Sequence, residues 1–440
     1  MPGSRWSANT GMRAATTTTT AAYVDPSRTE QNAWLMAAHA LSATIGLPES
    51  ATQDARMDRR QFLAAGGLAA ATPVLGQSVG GGSTAGTADG LFKRVNFVSD
   101  GLGLDRREYA MLLHEAAVAD GFEADYYSLG GTVTALERKF ARLLGKEAAM
   151  FVPTGTLANH LAVRKLAGDG RRVLVQAESH LYNDSGDCAQ TLSGLNLVPL
   201  ASGRSTIELA EVRSWVERSA GGRVETRIGA LSIESPVRRM NHQMVDPAEL
   251  ERVCGYARER GIRLHLDGAR MFNLPFHSGR SLRDYAALFD TVCVSLWKHF
   301  NGASGAILAG DAGFIDGLFH MRRMFGGSLP HAWPQIAFVD RYVDGYEEEY
   351  ASAWRAADRL IELLQADGRF KARKVPQGTS RFFLSVSGVA PAVLSERALR
   401  RGVILPSPAG DGILALQVNP TLLRMPPAAL AQVFIDSMAG

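Results

Sequence analysis

Between Ala148 and Leu296, short apolar runs rich in β-branched residues alternate with longer amphipathic stretches, and that alternation leaves the chain few possible architectures. Ala148–Pro153, Arg172–Val175, Leu195–Leu200, Ile228–Ile233, Arg263–Leu266 and Thr291–Leu296 read as strands. A helix running through Leu166 and helices at Ile207–Arg218 and Pro247–Arg260 fall between them. Parallel strands need crossover connections of this length, so the pattern predicts an α/β fold with a doubly wound, mostly parallel sheet. Upstream, Arg106–Ala119 reads as a helix, Gly130–Thr134 breaks the chain, and Leu136, Phe140, Leu143 and Leu144 give Ala135–Leu144 one apolar face. Beyond Trp333 a long helix over 337–366 precedes shorter strands at Arg381–Val386, Gly402–Leu405 and Ile413–Val418, with a last helix from Pro427. The expected organisation is a large domain over 91–333 and a smaller C-terminal α+β domain over 334–440.

Residues 1–90 differ from the rest. Thr16 to Thr20 in a row, many Ala and Ser, and Gly80-Gly81-Gly82-Ser83 predict a disordered extension. Within it, Met57-Asp58-Arg59-Arg60-Gln61-Phe62-Leu63 leads into a weakly apolar, Gly-rich run, and residues 57–78 resemble a twin-arginine export signal. That places the protein outside the cytoplasm if translation starts at Met57; a surface helix with two solvated arginines in a cytoplasmic protein is the alternative. A formal charge of +3 gives no reason to expect nucleic acid or an acidic membrane surface as partner. No run of eighteen apolar residues supports a membrane span. Cys188, Cys254 and Cys293 lack metal-ligand spacing, so free thiols are expected and no metal site is read.

In an open α/β sheet, chemistry gathers in the crevice beyond the carboxyl ends of the parallel strands. Two runs end there in charged residues: Arg263-Leu264-His265-Leu266-Asp267-Gly268-Ala269-Arg270, and Val292-Cys293-Val294-Ser295-Leu296-Trp297-Lys298. A third, ending at Pro153, passes through Thr154-Gly155-Thr156 into a helix, where backbone N–H groups and the helix dipole attract a phosphate. A lysine, a carboxylate and a phosphate turn suit pyridoxal 5'-phosphate. Lys298 would form a Schiff base with its aldehyde, and Asp267 would keep its ring nitrogen protonated. Alone, Lys298 reads equally as a loop lysine and Asp267 as a helix N-cap. His180, in Glu178-Ser179-His180, could stack on the ring or take a proton.

The order Phe151-Val152-Pro153-Thr154-Gly155-Thr156-Leu157-Ala158-Asn159, Glu178-Ser179-His180, Leu264-His265-Leu266-Asp267-Gly268-Ala269-Arg270-Met271-Phe272-Asn273 and Ser295-Leu296-Trp297-Lys298 resembles the threonine aldolase family, among the fold-type I pyridoxal-phosphate enzymes and the β-eliminating lyases. The resemblance covers roughly residues 96 to 333 and implies a homodimer or homotetramer. It also implies that Lys298 carries the cofactor, Asp267 binds the ring nitrogen, Arg270 contacts the phenolic oxygen, His180 stacks on the ring, and Gly155 with Thr156 holds the phosphate. Ser99-Asp100 matches a Ser-Asp pair near the substrate carboxylate, and Arg227 and Arg323 fall near family basic positions. Two family arginines are missing. Pro330 stands where one reaches a neighbouring subunit's phosphate, and the strand after Gly412 lacks the one that pairs with the substrate carboxylate; Arg381 or Arg424 is the candidate substitute. Trp297 and His299 flank the lysine where the family prefers smaller residues.

The implied activity is cleavage of a β-hydroxy-α-amino acid, a small-molecule substrate, to glycine and an aldehyde, with His180 as the candidate base and Arg270, Ser99 and Arg227 near the substrate. Three alternatives stand beside it. One is a pyridoxal-phosphate β-elimination or transamination of another amino acid. The second is an exported binding protein that has lost catalysis. The third, a nucleotide-binding dehydrogenase, lacks the Gly-x-Gly-x-x-Gly turn it would need.

Overall fold

The computed structural model describes residues 90–439; the N-terminal extension and its twin-arginine-like stretch at 57–78 lie outside the described residues. The central sheet holds seven strands: β2 (Ala148–Val152), β3 (Arg172–Gln176), β4 (Asn196–Leu200), β5 (Ile228–Glu234), β6 (Arg263–Asp267), β7 (Thr291–Ser295) and β8 (Ala306–Gly310), after a short β1 (Val95–Asn96). Their spatial order is β2-β8-β7-β6-β5-β3-β4. Strands β7, β6, β5, β3 and β4 pair in parallel, whereas β8 is antiparallel to both of its neighbours. β2 therefore runs with the parallel set, and the carboxyl ends of β2, β3, β5, β6 and β7 reach one edge of the sheet. The fold class is the α/β arrangement expected from the sequence.

Burial explains the strand sequences. Every residue of β7 is buried, as is all of β6 except Arg263, so a strand covered on both faces carries a continuous apolar run instead of an alternating one. The helix Gly155–Ala167 lies across β5 to β8 and is buried continuously from Ala158 to Val163, polar Asn159 and His160 included.

Several expected elements differ in detail. The helix expected from Ala135 begins at Gly131, with Gly130 at its N-cap, so the glycines open the helix where a break was expected. The long helix expected over 337–366 is divided into Trp333–Ile336, Val339–Val343 and Tyr346–Ala366, with Gly345 at φ 77 between the last two. β8 was not anticipated because Ala-Ile-Leu-Ala-Gly has little strand preference of its own. It forms because β2 and β7 both offer it a ladder. β9 (Phe370–Lys374) was also missed; it pairs with β10 (Arg381–Val386), which pairs with β12 (Leu414–Gln417) in an antiparallel three-stranded sheet. The run at Gly402–Leu405 shortens to β11 (Val403–Ile404), which pairs in parallel with β1 rather than joining that sheet. One apolar cluster runs from Leu231 and Val294 in the central sheet to Phe382 and Phe434 near the C-terminus. All three cysteines are free, with Cys254 and Cys293 buried. No helix among the described residues is long and apolar enough to cross a membrane.

Candidate functional site

The edge where the parallel strands end holds a cleft whose lining includes Gly155, Thr156, His180, Asp267, Arg270 and Lys298. They come from the exits of four strands, Gly155 and Thr156 after β2, His180 after β3, Asp267 and Arg270 at the end of β6 and Lys298 after β7, so the topology assembles residues as far apart in sequence as 155 and 298. Lys298 also lines an adjoining hollow of about 420 Å³ with Ser99, Asp100 and Tyr109.

Asp267 closes β6 with 4% of its surface exposed. Its Oδ2 accepts from Asn159 Nδ2 at 2.5 Å and its Oδ1 from the Ala269 N–H at 3.2 Å. Behind it, Asn159 Oδ1 lies 2.9 Å from His265 Nε2, and His265 Nδ1 lies 2.9 Å from Thr291 Oγ1. With His265 neutral, only one donor assignment satisfies all three contacts. The Asn159 amide donates to the carboxylate, His265 Nε2–H donates to the Asn159 carbonyl oxygen, and the Thr291 hydroxyl donates to His265 Nδ1. Complete burial pushes the His265 pKa down to about 4 against the pull of Asp267, which keeps the imidazole neutral and that direction fixed. We expect Asn159→Ala to strand the Asp267 oxygen and His265 Nε2–H together. At about 1–3 kcal/mol for each unsatisfied buried group, the melting temperature should fall by several degrees, and turnover should fall with it.

Lys298 makes no hydrogen bond or ion pair among the described residues; its Nζ lies 5.6 Å from the centre of the Trp297 ring. Burial, then the nearby Arg270 charge, lowers its pKa, with Asp267 and Asp100 opposing. That shift favours the neutral amine, the form that attacks a carbonyl. Glu234, at the end of β5, accepts from the backbone N–H of His180 at 2.6 Å and of Arg238 at 2.9 Å. Burial first and the Asp267 charge second raise it to about 7.

Arg270 forms a two-point ion pair with Asp100, Nε to Oδ1 and Nη2 to Oδ2, both at 2.8 Å. Burial would raise the Asp100 pKa, but the Arg270 charge outweighs it and holds the carboxyl far below the usual range. The pair ties the segment after β1 to the loop after β6. His299, the large residue beside the lysine, turns into the core, where its Nδ1 lies 2.9 Å from the Tyr346 hydroxyl. Trp297 stays about half exposed and lines both hollows.

Pyridoxal phosphate fits the residues present. Thr154 caps the helix by accepting from the Leu157 N–H at 3.2 Å, while Gly155 and Thr156 occupy its first turn, where N–H groups have no intrahelical acceptor. A Cβ added at Gly155 would meet nothing within 4 Å, so this glycine borders open cleft and not protein. The Ser295 hydroxyl is buried, lines the same cleft and has no partner, which leaves a donor for a phosphate oxygen.

Two predicted residues lie elsewhere. Arg227 precedes β5, at the opposite end from Glu234; seven residues at about 3.3 Å each separate it from the cleft by about 20 Å. It lines a separate surface hollow beside Arg260 and is not a substrate contact of this cleft. Arg323 is exposed and lies over the Tyr127 ring, 5.1 Å from its centre. Ser99 borders the adjoining hollow, with its hydroxyl 3.2 Å from Asn96 Nδ2. Asn159, Glu234, His265 and Ser295 were not singled out from the sequence. The signal for His265 was its spacing: two residues before Asp267 on a strand puts both side chains on one face. Glu234 was missed because its strand was read as ending at Ile233.

Comparison with known proteins agrees with this geometry. The beta-eliminating lyase family matches residues 108–384, well over half of the chain. The low specificity L-threonine aldolase of Saccharomyces cerevisiae is 27% identical over 298 residues, 66% of this chain and 75% of that protein. The Escherichia coli K12 protein of the same name is 28% identical over 68% of this chain and 87% of its own length. A Listeria monocytogenes crystal structure, provisionally described as an L-allo-threonine aldolase, superposes with a TM-score of 0.65 at 28% identity, covering 80% of this chain and 97% of that one. A serine palmitoyltransferase of Sphingomonas wittichii, with a TM-score of 0.55 at 17% identity, shares the fold alone. With the strand-end lysine, its carboxylate neighbour and the phosphate turn in one cleft, these matches place the chain in the beta-eliminating lyase family, as a fold-type I lyase of the threonine aldolase group.

Proposed function

We propose that the protein is a pyridoxal-phosphate-dependent aldehyde-lyase that cleaves a β-hydroxy-α-amino acid to glycine and an aldehyde. The observation that carries this reading is the delivery of Lys298 and Asp267 into one cleft from the adjacent strands β7 and β6, beside the turn at Gly155 and Thr156. Gly155, Thr156 and Ser295 would hold the phosphate, Lys298 the aldehyde carbon, Asp267 the ring nitrogen and Arg270 the phenolic oxygen, with His180 against the ring. Pyridoxal phosphate, when bound, supplies an electron sink for charge developing at the substrate's Cα. The chain's own residues do the rest. Asp267, fixed by Asn159, presents a carboxylate in one orientation. His180, whose backbone N–H is held by Glu234, would take the β-hydroxyl proton. Trp297 lines the cleft beside Lys298, with the amine 5.6 Å from its ring centre, and would pack against the bound substrate.

The test is product analysis of purified protein incubated with L-threonine, L-allo-threonine, phenylserine and L-alanine. Glycine with the matching aldehyde supports cleavage. Pyruvate or a 2-oxo acid would support elimination or transamination, and D-alanine would support racemisation; a Cochliobolus carbonum relative, 29% identical over 62% of this chain, is described as an alanine racemase. Bound cofactor without any product would favour a binding role. Homodimer or homotetramer formation is part of the proposal and is read from light scattering of the holoenzyme. So is export through residues 57–78, read as accumulation outside the cytoplasm that stops when Arg59 and Arg60 become lysine.

A further inference from the structure

An amino-acid substrate brings its own carboxylate into the cleft, and the cations nearby differ in how fully they are already used. Arg270 spends two of its nitrogens on Asp100. Arg238 is paired with Asp184 at 2.5 Å. Arg381, the first residue of β10, makes one hydrogen bond: its Nε donates to Gln417 Oε1 at 3.2 Å, across the β10–β12 register that places the two residues opposite each other. Gln417 Nε2 in turn donates to Asp100 Oδ1 at 3.1 Å. That fixes the orientation of the amide and sets the Arg381 guanidinium two hydrogen bonds from the Asp100–Arg270 pair. Neither Nη atom of Arg381 has a hydrogen-bond partner among the described residues, and neither is among the side-chain atoms sealed from solvent. Burial lowers its pKa, and the charges it feels are Asp100, Arg270 and Arg238, the last two lining the cleft. Arg424, the other candidate, donates through Nη1 to the Arg94 carbonyl at 2.8 Å, and the charged groups it feels are Glu108, Tyr342 and Glu349, none of which lines the cleft.

Resting on the amino-acid lyase reading above, we infer that Arg381 receives the substrate α-carboxylate, with Gln417 as the residue that positions it. A planar guanidinium offering two parallel N–H donors selects a carboxylate over a neutral group. The strand after Gly412 lacks an arginine, and β10 supplies one from the opposite side of the β10–β12 ladder.

The experiment titrates the holoenzyme with glycine and with methylamine, which lacks the carboxylate, following cofactor absorbance. Arg381→Gln is expected to weaken glycine binding by about 10- to 150-fold, the range for losing a charge-assisted hydrogen bond. Cofactor content and methylamine affinity should stay at the wild-type level, and KM should rise more than kcat falls. Arg381→Lys should recover part of the loss, Gln417→Ala should show a smaller loss, and Arg424→Gln should show none. Unchanged glycine affinity in Arg381→Gln overturns the assignment, as does an equal loss for glycine and methylamine. A wild type that binds no pyridoxal phosphate overturns the cofactor reading and this inference together. A wild type that binds cofactor and glycine but cleaves no β-hydroxy amino acid overturns only the lyase reading, and the glycine titration still decides Arg381.

Discussion

Replacing Lys298 by alanine is expected to lower turnover by about four to six orders of magnitude, the scale seen when a covalent catalytic group is removed. The variant should also lose the visible absorption that the wild type shows with pyridoxal phosphate bound through its lysine. The folded chain should be unharmed. The Lys298 amine has no hydrogen bond or ion pair to lose, and burial of the charged form is already unfavourable. The melting temperature without cofactor should therefore stay level or rise slightly. This separates a chemical role from a structural one: loss of activity with a large drop in stability would point to misfolding. Retention of the absorption band in the variant would remove Lys298 from the site altogether.

Asp267→Asn should be the second largest effect, a loss of about 10³-fold in kcat, comparable to removing a preorganised electrostatic partner in a buried site. The substitution keeps the side chain's size, but its amide must turn its oxygen toward Asn159 Nδ2 to preserve that contact. It then presents an N–H₂ to the cleft in place of a carboxylate oxygen, and a protonated ring nitrogen would meet a donor. Cofactor affinity should fall as well, measured by release during dialysis, while Asp267→Glu restores charge but not position and should recover little. A variant within tenfold of wild type would show that Asp267 does not face the ring nitrogen. The two substitutions are also expected to differ in kind: losing the lysine should abolish covalent attachment of the cofactor, whereas losing the aspartate should leave attachment intact and weaken turnover.

Much of this site could be read along the chain because its residues sit in short, local patterns. Lys298, Asp267 and the Thr154–Thr156 turn each follow an apolar run, and a parallel sheet brings such run ends to one edge wherever the strands fall in the order. Arg227 shows where resemblance misled: it falls near a family basic position, yet it precedes β5, and the strand-end rule alone would have set it at the edge away from the cleft. β8 shows a second limit. Its alanines and glycine carry no strand signal, and its place between β2 and β7 is decided by neighbours more than a hundred residues away in one case.

What the sequence by itself determined was the class of fold, the family and the residues that gather at the strand ends to line the cleft, because periodicity and strand-end chemistry are properties of a few adjacent positions. Tertiary structure alone decided which buried groups stand behind them. The line from Asp267 through Asn159 and His265 to Thr291 joins a helix to two strands, and the Arg381–Gln417–Asp100 chain joins the C-terminal sheet to the segment after β1. Hydrogen-bond direction depends on distances of a few ångströms between residues far apart in the chain, and no local pattern encodes those distances.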